Sequence, residues 1–197
     1  MLTEDQFEEN WDTWVLILQK RLKKTRFEHS LSVSSTAFEL AEKHGFDVKA
    51  AAVAGLLHDY ARNMKVADLL SAAKQKGLLV HPIERQVPIL LHGPVGAELV
   101  KGDLGIADKE ITEAIAYHTT AAPGMSGLTG LVYLADMIEP LRDFPGVNNL
   151  RDLARHNLSA AVLAGLESSI AYCMEAGLLI HPISIEARNY MLGTNKT

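Results

Sequence analysis

The sequence contains very little cysteine: Cys173 is the single thiol among 197 residues. An internal disulfide and a cysteine-based zinc site are therefore both excluded. A long hydrophobic run is also missing, because the longest uninterrupted apolar stretch, residues 50–57, is far shorter than the roughly 20 residues that cross a bilayer. The first ten residues are acidic and polar, unlike a secretory signal. We therefore predict a cytoplasmic protein with no membrane partner.

Positive charge is in the minority. The chain has 19 lysines and arginines against 24 aspartates and glutamates, which gives a net charge of −5 with neutral histidines. A general nucleic-acid-binding protein needs a basic face that displaces counterions from the phosphate backbone, so we expect no nucleic-acid partner. This balance still permits one small phosphorylated ligand in a local basic pocket.

The hydrophobic pattern predicts helices separated by glycine and proline, with no alternating strand pattern. We therefore predict an all-α fold, a helical bundle that forms a single domain over residues 1–197. A capping box at Thr3 and Gln6 predicts the start of the first helix. A small, fully apolar helix follows Asp47, and a turn-rich loop is predicted for residues 119–130. The other predicted helices cover about residues 25–44, 65–76, 83–91, 94–101, 108–118, 133–138 and 157–176, and a last one begins near Ser184.

One short sequence occurs twice, as GLLVHPIE from Gly77 and as GLLIHPIS from Gly177, one hundred residues apart. Each copy is typical of a helix end followed by an extended His-Pro segment, since a residue before proline is pushed out of the helical region. The flanking sequences do not match, which favours convergent helix ends over a duplicated domain.

Two histidines and two aspartates form the main candidate site: His29, the adjacent pair His58 and Asp59, and Asp136. Imidazole and carboxylate ligands suit a divalent metal such as Fe(II), Mn(II) or Co(II) better than a metal that prefers thiolates. Adjacent residues on a helix diverge by about 100°, so His58 and Asp59 can bind one ion only where the helix ends or is distorted. A helix end near residues 60–63 would meet this condition. For this pair alone, a core histidine beside a capping aspartate is the alternative.

Asp136 lies in an otherwise apolar helical segment, LVYLADMIE. A buried unpaired carboxylate costs several kcal/mol, so this residue needs a metal, a hydrogen-bond network or an arginine, for which Arg142 is the nearby candidate. His92 and His118 are predicted at helix ends. Either they bind a second metal, or they contact phosphate and protonate a leaving oxygen. Their alternative role is an interaction with the helix dipole.

Three arginines, Arg26, Arg62 and Arg142, each lie within six residues of a candidate ligand. Bidentate arginine contacts are the usual way in which proteins hold phosphate oxygens. A metal with three arginines therefore favours phosphate-ester chemistry over the hydrolysis of amides or sugars. The remaining histidines, His44, His81, His156 and His181, are predicted to be structural or surface residues.

The order His…His-Asp…Asp in an all-α chain resembles the HD superfamily of metal-dependent phosphohydrolases. More narrowly, six segments resemble the bacterial YqeK-type subfamily: RFEHSLSVSSTAFELAEKHG, AAVAGLLHDYAR, HGPVGAELV, AIAYHTT, YLADMIEPLRDFPGV and HPISIEARNYML. Members of that subfamily are symmetrical bis(5'-nucleosyl)-tetraphosphatases, which cleave diadenosine tetraphosphate into two ADP. The resemblance covers about residues 26–192. Arg62 stands where many relatives carry lysine, a difference that preserves the charge.

The resemblance implies a divalent metal, iron in the first place with manganese or cobalt as alternatives, held by His29, His58, Asp59 and Asp136. It implies catalytic roles for Asp59, Arg62 and His118. The implied nucleotide or phosphate contacts are Arg26, Asp59, Tyr60, Ala61, Arg62, His92, His118, Thr119, Asp136, Arg142, Ile180, His181 and Pro182.

The activity that the resemblance implies is hydrolysis of diadenosine tetraphosphate into two ADP by a metal-activated water. The expected partner is accordingly a dinucleoside polyphosphate or an ADP-like nucleotide, and a homodimer is compatible with the resemblance. Two alternatives stay open at this point. One is a nucleoside 5'-monophosphate phosphohydrolase with the same four ligands, and the other is a nucleotide-sensing HD module without turnover.

Overall fold

The computed structural model describes residues 4–194, and every regular element in that range is helical, as predicted. The α-helices are α1 (Glu4–Arg21), α2 (Lys24–His44), α3 (Val48–Leu57), α4 (Val66–Gln75), α5 (Ile83–Gln86), α6 (His92–Leu104), α7 (Lys109–Tyr117), α8 (Gly127–Ile138), α9 (Val147–His156), α10 (Leu158–Glu175) and α11 (Pro182–Thr194). A short 3-10 helix, Pro88–Leu91, leads directly into α6. Within residues 4–194, none of the helices combines the length and the hydrophobicity that a membrane span requires.

Several predicted helix boundaries are confirmed at capping residues. The Asp47 carboxylate accepts hydrogen bonds from two backbone N–H groups at the start of α3, and Asp108 caps α7 in the same way. Gly45 ends α2 with a φ of +74°, a conformation that glycine adopts without steric cost. Thr3, the predicted capping residue of α1, lies outside the described residues.

Two predictions of local structure are wrong. The loop predicted for residues 119–130 ends at Ser126, so α8 begins four residues earlier than predicted. The Ser126 hydroxyl caps the helix by accepting a hydrogen bond from the Thr129 N–H. Helix α9 was not predicted at all. Its polar, amphipathic sequence follows Pro145 and Gly146, which are typical of a loop, and only contact with the bundle makes it a helix.

The central helix α3 is buried on all sides, as its apolar sequence predicts. It packs against α2, α7 and α8. The two residues that follow it, His58 and Asp59, are therefore held inside the bundle, with exposures of 0% and 2%. A smaller apolar cluster that includes Ala61, Leu69 and Leu91 anchors the chain just beyond this point.

The close approach of α3 to α2 depends on Gly55. A Cβ atom at this position would lie 2.9 Å from the Ser34 Cα and 3.1 Å from the Val33 carbonyl oxygen. Both are backbone atoms, so the two helices would have to separate to make room. His29 on α2 and His58 after α3 each lie about one helical turn from this contact.

We expect Gly55→Ala to lower the free energy of unfolding by about 1–3 kcal/mol, the usual cost of overpacking. Gly102→Ala in α6 is the matched control, because a Cβ there meets nothing within 4 Å. The control should be neutral or stabilising by up to about 1 kcal/mol, since alanine favours helix more than glycine does. Urea unfolding of both variants, followed by circular dichroism, checks the difference. Equal effects at the two positions would contradict the importance of the α2–α3 approach.

Candidate metal centre

Three helices bring the four predicted ligands together. His29 lies on α2, Asp136 lies on α8, and His58 and Asp59 directly follow α3. Helix α3 ends before this pair, and the chain continues in tight turns. The two side chains meet, and His58 Nε2 lies 3.4 Å from Asp59 Oδ2. The helix end that the pair requires is present, but at Leu57, three residues before the predicted end at residues 60–63.

The candidate ligand atoms lie close enough together to share a cation. His29 Nε2 lies 2.9 Å from Asp136 Oδ1, and His58 Nε2 lies 4.0 Å from the same oxygen. The group His29, His58 and Asp59, in which one atom of each lies within 4.8 Å of the others, is buried. His118 also joins two such groups, one with His58 and Asp136 and one with Asp59 and His92.

Backbone contacts determine the tautomers of three histidines. The Nδ1 atoms of His58, His92 and His118 lie 2.7, 2.5 and 2.8 Å from the carbonyl oxygen three residues earlier in the chain. A carbonyl oxygen only accepts, so each Nδ1 carries a hydrogen and donates it. In the neutral ring, Nε2 therefore keeps its lone pair.

The Nε2 atoms of His29 and His58 are buried and have no hydrogen-bond partner within the described residues. Leaving a buried polar atom without a partner costs about 1–3 kcal/mol. His29 Nε2 lies close to Asp136 Oδ1, yet the two atoms are not aligned for a hydrogen bond, which is typical of two ligands of one ion. Two imidazole nitrogens with carboxylate oxygens are a donor set for Fe(II), Mn(II) or Co(II). The residues present therefore fit a divalent cation.

His92 and His118 face each other on the other side of Asp59. Their Nε2 atoms are 3.0 Å apart and lie 3.1 and 3.9 Å from Asp59 Oδ1. Since both Nδ1 atoms donate to the backbone, the short contact between the two Nε2 atoms needs one proton or one cation between them. Burial and the neighbouring rings of His92 and His58 lower the pKa of His118 to about 3.

Both aspartates of the cluster remain ionised at neutral pH. Burial raises the pKa of Asp59, but the neighbouring imidazoles of His58 and His92 outweigh this effect and hold the pKa well below its ordinary range. Burial likewise raises the pKa of Asp136, and His29, His58 and Arg142 together lower it more. The cluster thus offers negatively charged oxygens to a cation.

The three predicted arginines border the cluster. Arg26 Nη1 lies 3.0 Å from Asp59 Oδ2, and Arg62 Nε lies 3.9 Å from Asp59 Oδ1. Arg142 donates to both the carboxylate and the backbone carbonyl of Asp136, so it is the ionic partner that the sequence suggested. The three arginine side chains are 32%, 31% and 36% exposed. Their guanidinium groups lie between the buried carboxylates and solvent, where an anionic ligand would arrive.

Two residues with an implied nucleotide contact have side chains engaged away from the ligand atoms. The Tyr60 hydroxyl donates to Asp103 at 3.1 Å, and the Arg21 guanidinium lies 4.0 Å from the centre of the tyrosine ring. Ala61 is buried in the smaller apolar cluster. Thr119, in contrast, lies at the site, with its hydroxyl 3.0 Å from His118 Nε2. The nucleotide contacts of all three stay predictions.

The predicted nucleotide-contact residues near the C-terminus are Ile180, His181 and Pro182. They lie beside the loop that follows α7, and the Ser184 hydroxyl donates a hydrogen bond to the Thr120 carbonyl oxygen in that loop. A cavity of about 120 Å³ is lined by Thr119, Ile180 and His181, and a larger one of about 310 Å³ extends from Thr120 to α6. Residues near the C-terminus therefore border the loop after α7, which carries Thr119 at the candidate site.

The two similar His-Pro segments lie side by side. The ring centroids of His81 and His181 are 5.6 Å apart, and Nδ1 of each ring accepts a hydrogen bond from the backbone N–H two residues later. Glu84 Oε1 lies 3.5 Å from His181 Nε2. The repeated sequence thus forms two equivalent turns that meet in one bundle.

Glu139 is a site residue that sequence reasoning did not identify. Its side chain is buried, and Oε1 lies 3.0 Å from His29 Nδ1. The spacing of Asp136 and Glu139 was a usable signal, because residues three apart share one face of a helix. The two carboxylates contact opposite ring nitrogens of His29.

Comparison with known proteins places this geometry in a family. Residues 26–188 match the family model described as HD domain. The chain is 34% identical over 175 residues to the symmetrical bis(5'-nucleosyl)-tetraphosphatase of Bacillus subtilis, which covers 89% of this chain and 94% of the relative. The protein of the same name from Halalkalibacterium halodurans is 34% identical over 176 residues, again covering 89% of this chain and 94% of the relative.

A crystal structure from Clostridium acetobutylicum, described as a predicted HD superfamily hydrolase involved in NAD metabolism, has the same fold. It superposes with a TM-score of 0.90 at 35% identity, over 93% of this chain and 97% of that chain. The family match includes all four candidate ligands. The chain therefore belongs to the HD domain family.

Proposed function

We propose that this protein is a metal-dependent hydrolase that cleaves diadenosine tetraphosphate symmetrically into two ADP. The observation that carries the proposal is the pair of buried, unpartnered Nε2 atoms of His29 and His58 beside two ionised aspartates. This arrangement occurs in a chain that aligns over 89% of its length with symmetrical tetraphosphatases. The proposed ligands are therefore dinucleoside polyphosphates and, as products, ADP-like nucleotides.

In this proposal His29, His58, Asp59 and Asp136 hold one divalent cation, and iron(II) is the first candidate. When bound, such a cation lowers the pKa of a water molecule and polarises a phosphoryl oxygen. A cytoplasmic location and a homodimer are separate predictions that accompany this function.

The reaction uses one water and no other co-reactant. The water oxygen forms a bond to one of the two central phosphorus atoms, and the bond from that phosphorus to the central bridging oxygen breaks. The electron pair of the broken bond stays on the bridging oxygen, which leaves with one ADP, while the water oxygen remains in the other. In this proposal the Asp59 carboxylate orients the attacking water. This carboxylate contacts His58 through Oδ2 and His92 through Oδ1.

In this proposal His92 donates a proton to the leaving oxygen. Its Nε2 lies 3.1 Å from Asp59 Oδ1 and 3.0 Å from His118 Nε2, so a proton on this nitrogen would have an acceptor at both positions. A proton held there can be donated to the phosphate oxygen that leaves. His118 supports this role as an acceptor, and the Thr119 hydroxyl contacts the same His118 nitrogen.

The arginines are proposed to neutralise the polyphosphate. Arg62 makes the loosest contact of the three with the cluster, at 3.9 Å, so it can move toward phosphate at the smallest cost. Arg26 and Arg142 lie against the two aspartates, with side chains 32% and 36% exposed. Preorganised positive groups of this kind stabilise the charge that develops in phosphoryl transfer. We place the nucleoside against Ile180, His181 and Pro182.

Turnover measurements on metal-loaded protein with diadenosine tetraphosphate, AMP and dAMP test the proposal. We expect the highest kcat/KM for the dinucleotide. Faster hydrolysis of AMP or dAMP would favour a nucleoside 5'-monophosphate phosphohydrolase. Tight ADP binding without turnover under Fe(II), Mn(II) or Co(II) would favour a sensor.

A further inference from the structure

Glu139 lies at the end of α8, directly behind His29, and is not one of the ligands assigned above. Its side chain is 1% exposed. One carboxylate oxygen, Oε1, lies 3.0 Å from His29 Nδ1. The other, Oε2, accepts hydrogen bonds from the Ser32 hydroxyl at 2.6 Å and from the Leu141 N–H at 2.7 Å. Oε1 also lies 3.8 Å from Arg142 Nε, but His29 is its hydrogen-bond partner.

The contact with Oε1 determines which nitrogen of His29 carries the hydrogen. An ionised carboxylate only accepts, so the hydrogen of the neutral ring lies on Nδ1. The partners of Oε2 are also donors, as an ionised Glu139 requires. His29 Nε2 then keeps its lone pair on the side of Asp136, where it has no aligned hydrogen-bond partner. An imidazole in this state is ready to bind a cation.

His29 differs from the other three histidines of the site in the charge of the group that its Nδ1 contacts. His58, His92 and His118 donate from Nδ1 to neutral backbone carbonyls. A hydrogen bond to an ionised acceptor is about twice as strong as one between neutral groups. It also shifts electron density toward the opposite nitrogen and makes that nitrogen a stronger ligand.

The position of Glu139 is set by contacts outside the metal cluster. The guanidinium of Arg151, on α9, donates to the backbone carbonyls of Ile138, Glu139 and Arg142. The Ile138 carbonyl lies at the end of α8, where carbonyl groups have no partner within the helix, and the other two lie in the turn that follows. Arg151 thus fixes the backbone at Glu139, while Ser32 and the Leu141 N–H fix the carboxylate through Oε2.

We propose that Glu139 is a positioning residue, which holds His29 in the Nδ1–H tautomer through Oε1 and strengthens Nε2 as a metal ligand. Its consequence for catalysis rests on the proposed metal-dependent function. The tautomer and the metal affinity, however, can both be measured without any nucleotide.

The first test uses the metal-free wild-type protein with 15N-labelled histidine. Long-range 1H–15N spectra, recorded where His29 is neutral, distinguish Nδ1–H from Nε2–H by the shifts of the two ring nitrogens. The spectrum of His29→Gln assigns the signals, because those of His29 are then missing. We expect the Nδ1–H form, and a predominant Nε2–H form in the wild type would overturn the proposal.

The second test is Glu139→Gln, which is nearly isosteric. The amide has one accepting oxygen and one donating nitrogen, so it cannot accept from both His29 Nδ1 and the Leu141 N–H. We expect the Kd for Co(II) alone, measured by competition with a chelator, to rise by about 10- to 100-fold, as is usual when the partner of a metal-binding histidine is lost. The Nε2–H form of His29 should increase at the same time.

Ser32→Ala is the matched control, because it removes a hydrogen bond to Oε2 and leaves the contact between Oε1 and His29. We expect it to lower the free energy of unfolding without changing the Co(II) affinity. If the control weakens Co(II) binding as much as Glu139→Gln does, or if Glu139→Gln changes neither affinity nor tautomer, Glu139 is merely a structural group and the proposal is wrong. A wild type that binds Co(II) but does not cleave diadenosine tetraphosphate would overturn the proposed function and leave this inference standing.

Discussion

His58→Ala is expected to remove the divalent cation and the hydrolytic activity together. The ring of His58 is completely buried, its Nδ1 donates to the Gly55 carbonyl oxygen, and its Nε2 is available to a cation. Loss of the cation removes water activation and phosphoryl polarisation, which contribute several kcal/mol to the transition state. Because each 1.4 kcal/mol corresponds to about a factor of ten in rate, we expect kcat/KM to fall by at least about a thousandfold. Metal analysis after anaerobic purification, with kinetics on the same preparation, measures both effects.

His92→Ala is the matched comparison for His58→Ala, because both residues are buried histidines with Nδ1 bonded to a backbone carbonyl. We expect its metal content to stay near that of the wild type. Its kcat/KM should fall by the equivalent of about 2–4 kcal/mol, the usual cost of losing one preorganised charge-stabilising donor. If His92→Ala halves a content of two ions, the assignment of a single ion is wrong, and His92 and His118 are ligands of a second cation.

Asp59→Asn is expected to have an effect of similar size for a different reason. The Asp59 carboxylate is 2% exposed and lies against Arg26, His58 and His92 at 3.0, 3.4 and 3.1 Å. Asparagine has nearly the same shape but no charge, and its NH2 group would face donors or the cation. We expect weaker Mn(II) binding and a fall in kcat/KM of at least about a thousandfold, since the cation contributes several kcal/mol.

Asp103→Asn serves as the control for Asp59→Asn. Asp103 pairs with Arg21 and accepts from the Tyr60 hydroxyl, close to the same turn but outside the ligand cluster. We expect this variant to keep its metal and its activity. If Asp59→Asn instead kept both its metal and its activity, Asp59 would be a structural partner of Arg26 and not a metal ligand.

The features of the fold that could be predicted depend on local sequence. Asp47 and Asp108 cap helices through their own side chains, and Gly45 ends a helix because of its own backbone freedom. The buried position of α3 follows from its uninterrupted apolar sequence. Helix α9 was missed because its formation depends on packing against the rest of the bundle, which the order of residues does not show.

Part of the site could also be predicted, because it too depends on local sequence. His58 and Asp59 are adjacent, and a carboxylate within an apolar helix, as at Asp136, requires a partner in any fold. The contact between His29 and Glu139 joins residues 110 positions apart and exists only because α2 packs against the end of α8. The histidine tautomers could not be predicted from the sequence either, because they depend on which atom contacts the Nδ1 of each ring.

The identity of the products tests the central claim most directly. Metal-loaded protein is incubated with diadenosine tetraphosphate in water enriched in 18O, and the nucleotides are separated and analysed by mass spectrometry. The account predicts ADP as the nucleotide product, with one 18O atom in one of each two ADP molecules, because the water oxygen joins one central phosphorus atom. AMP with ATP as the products would contradict symmetrical cleavage.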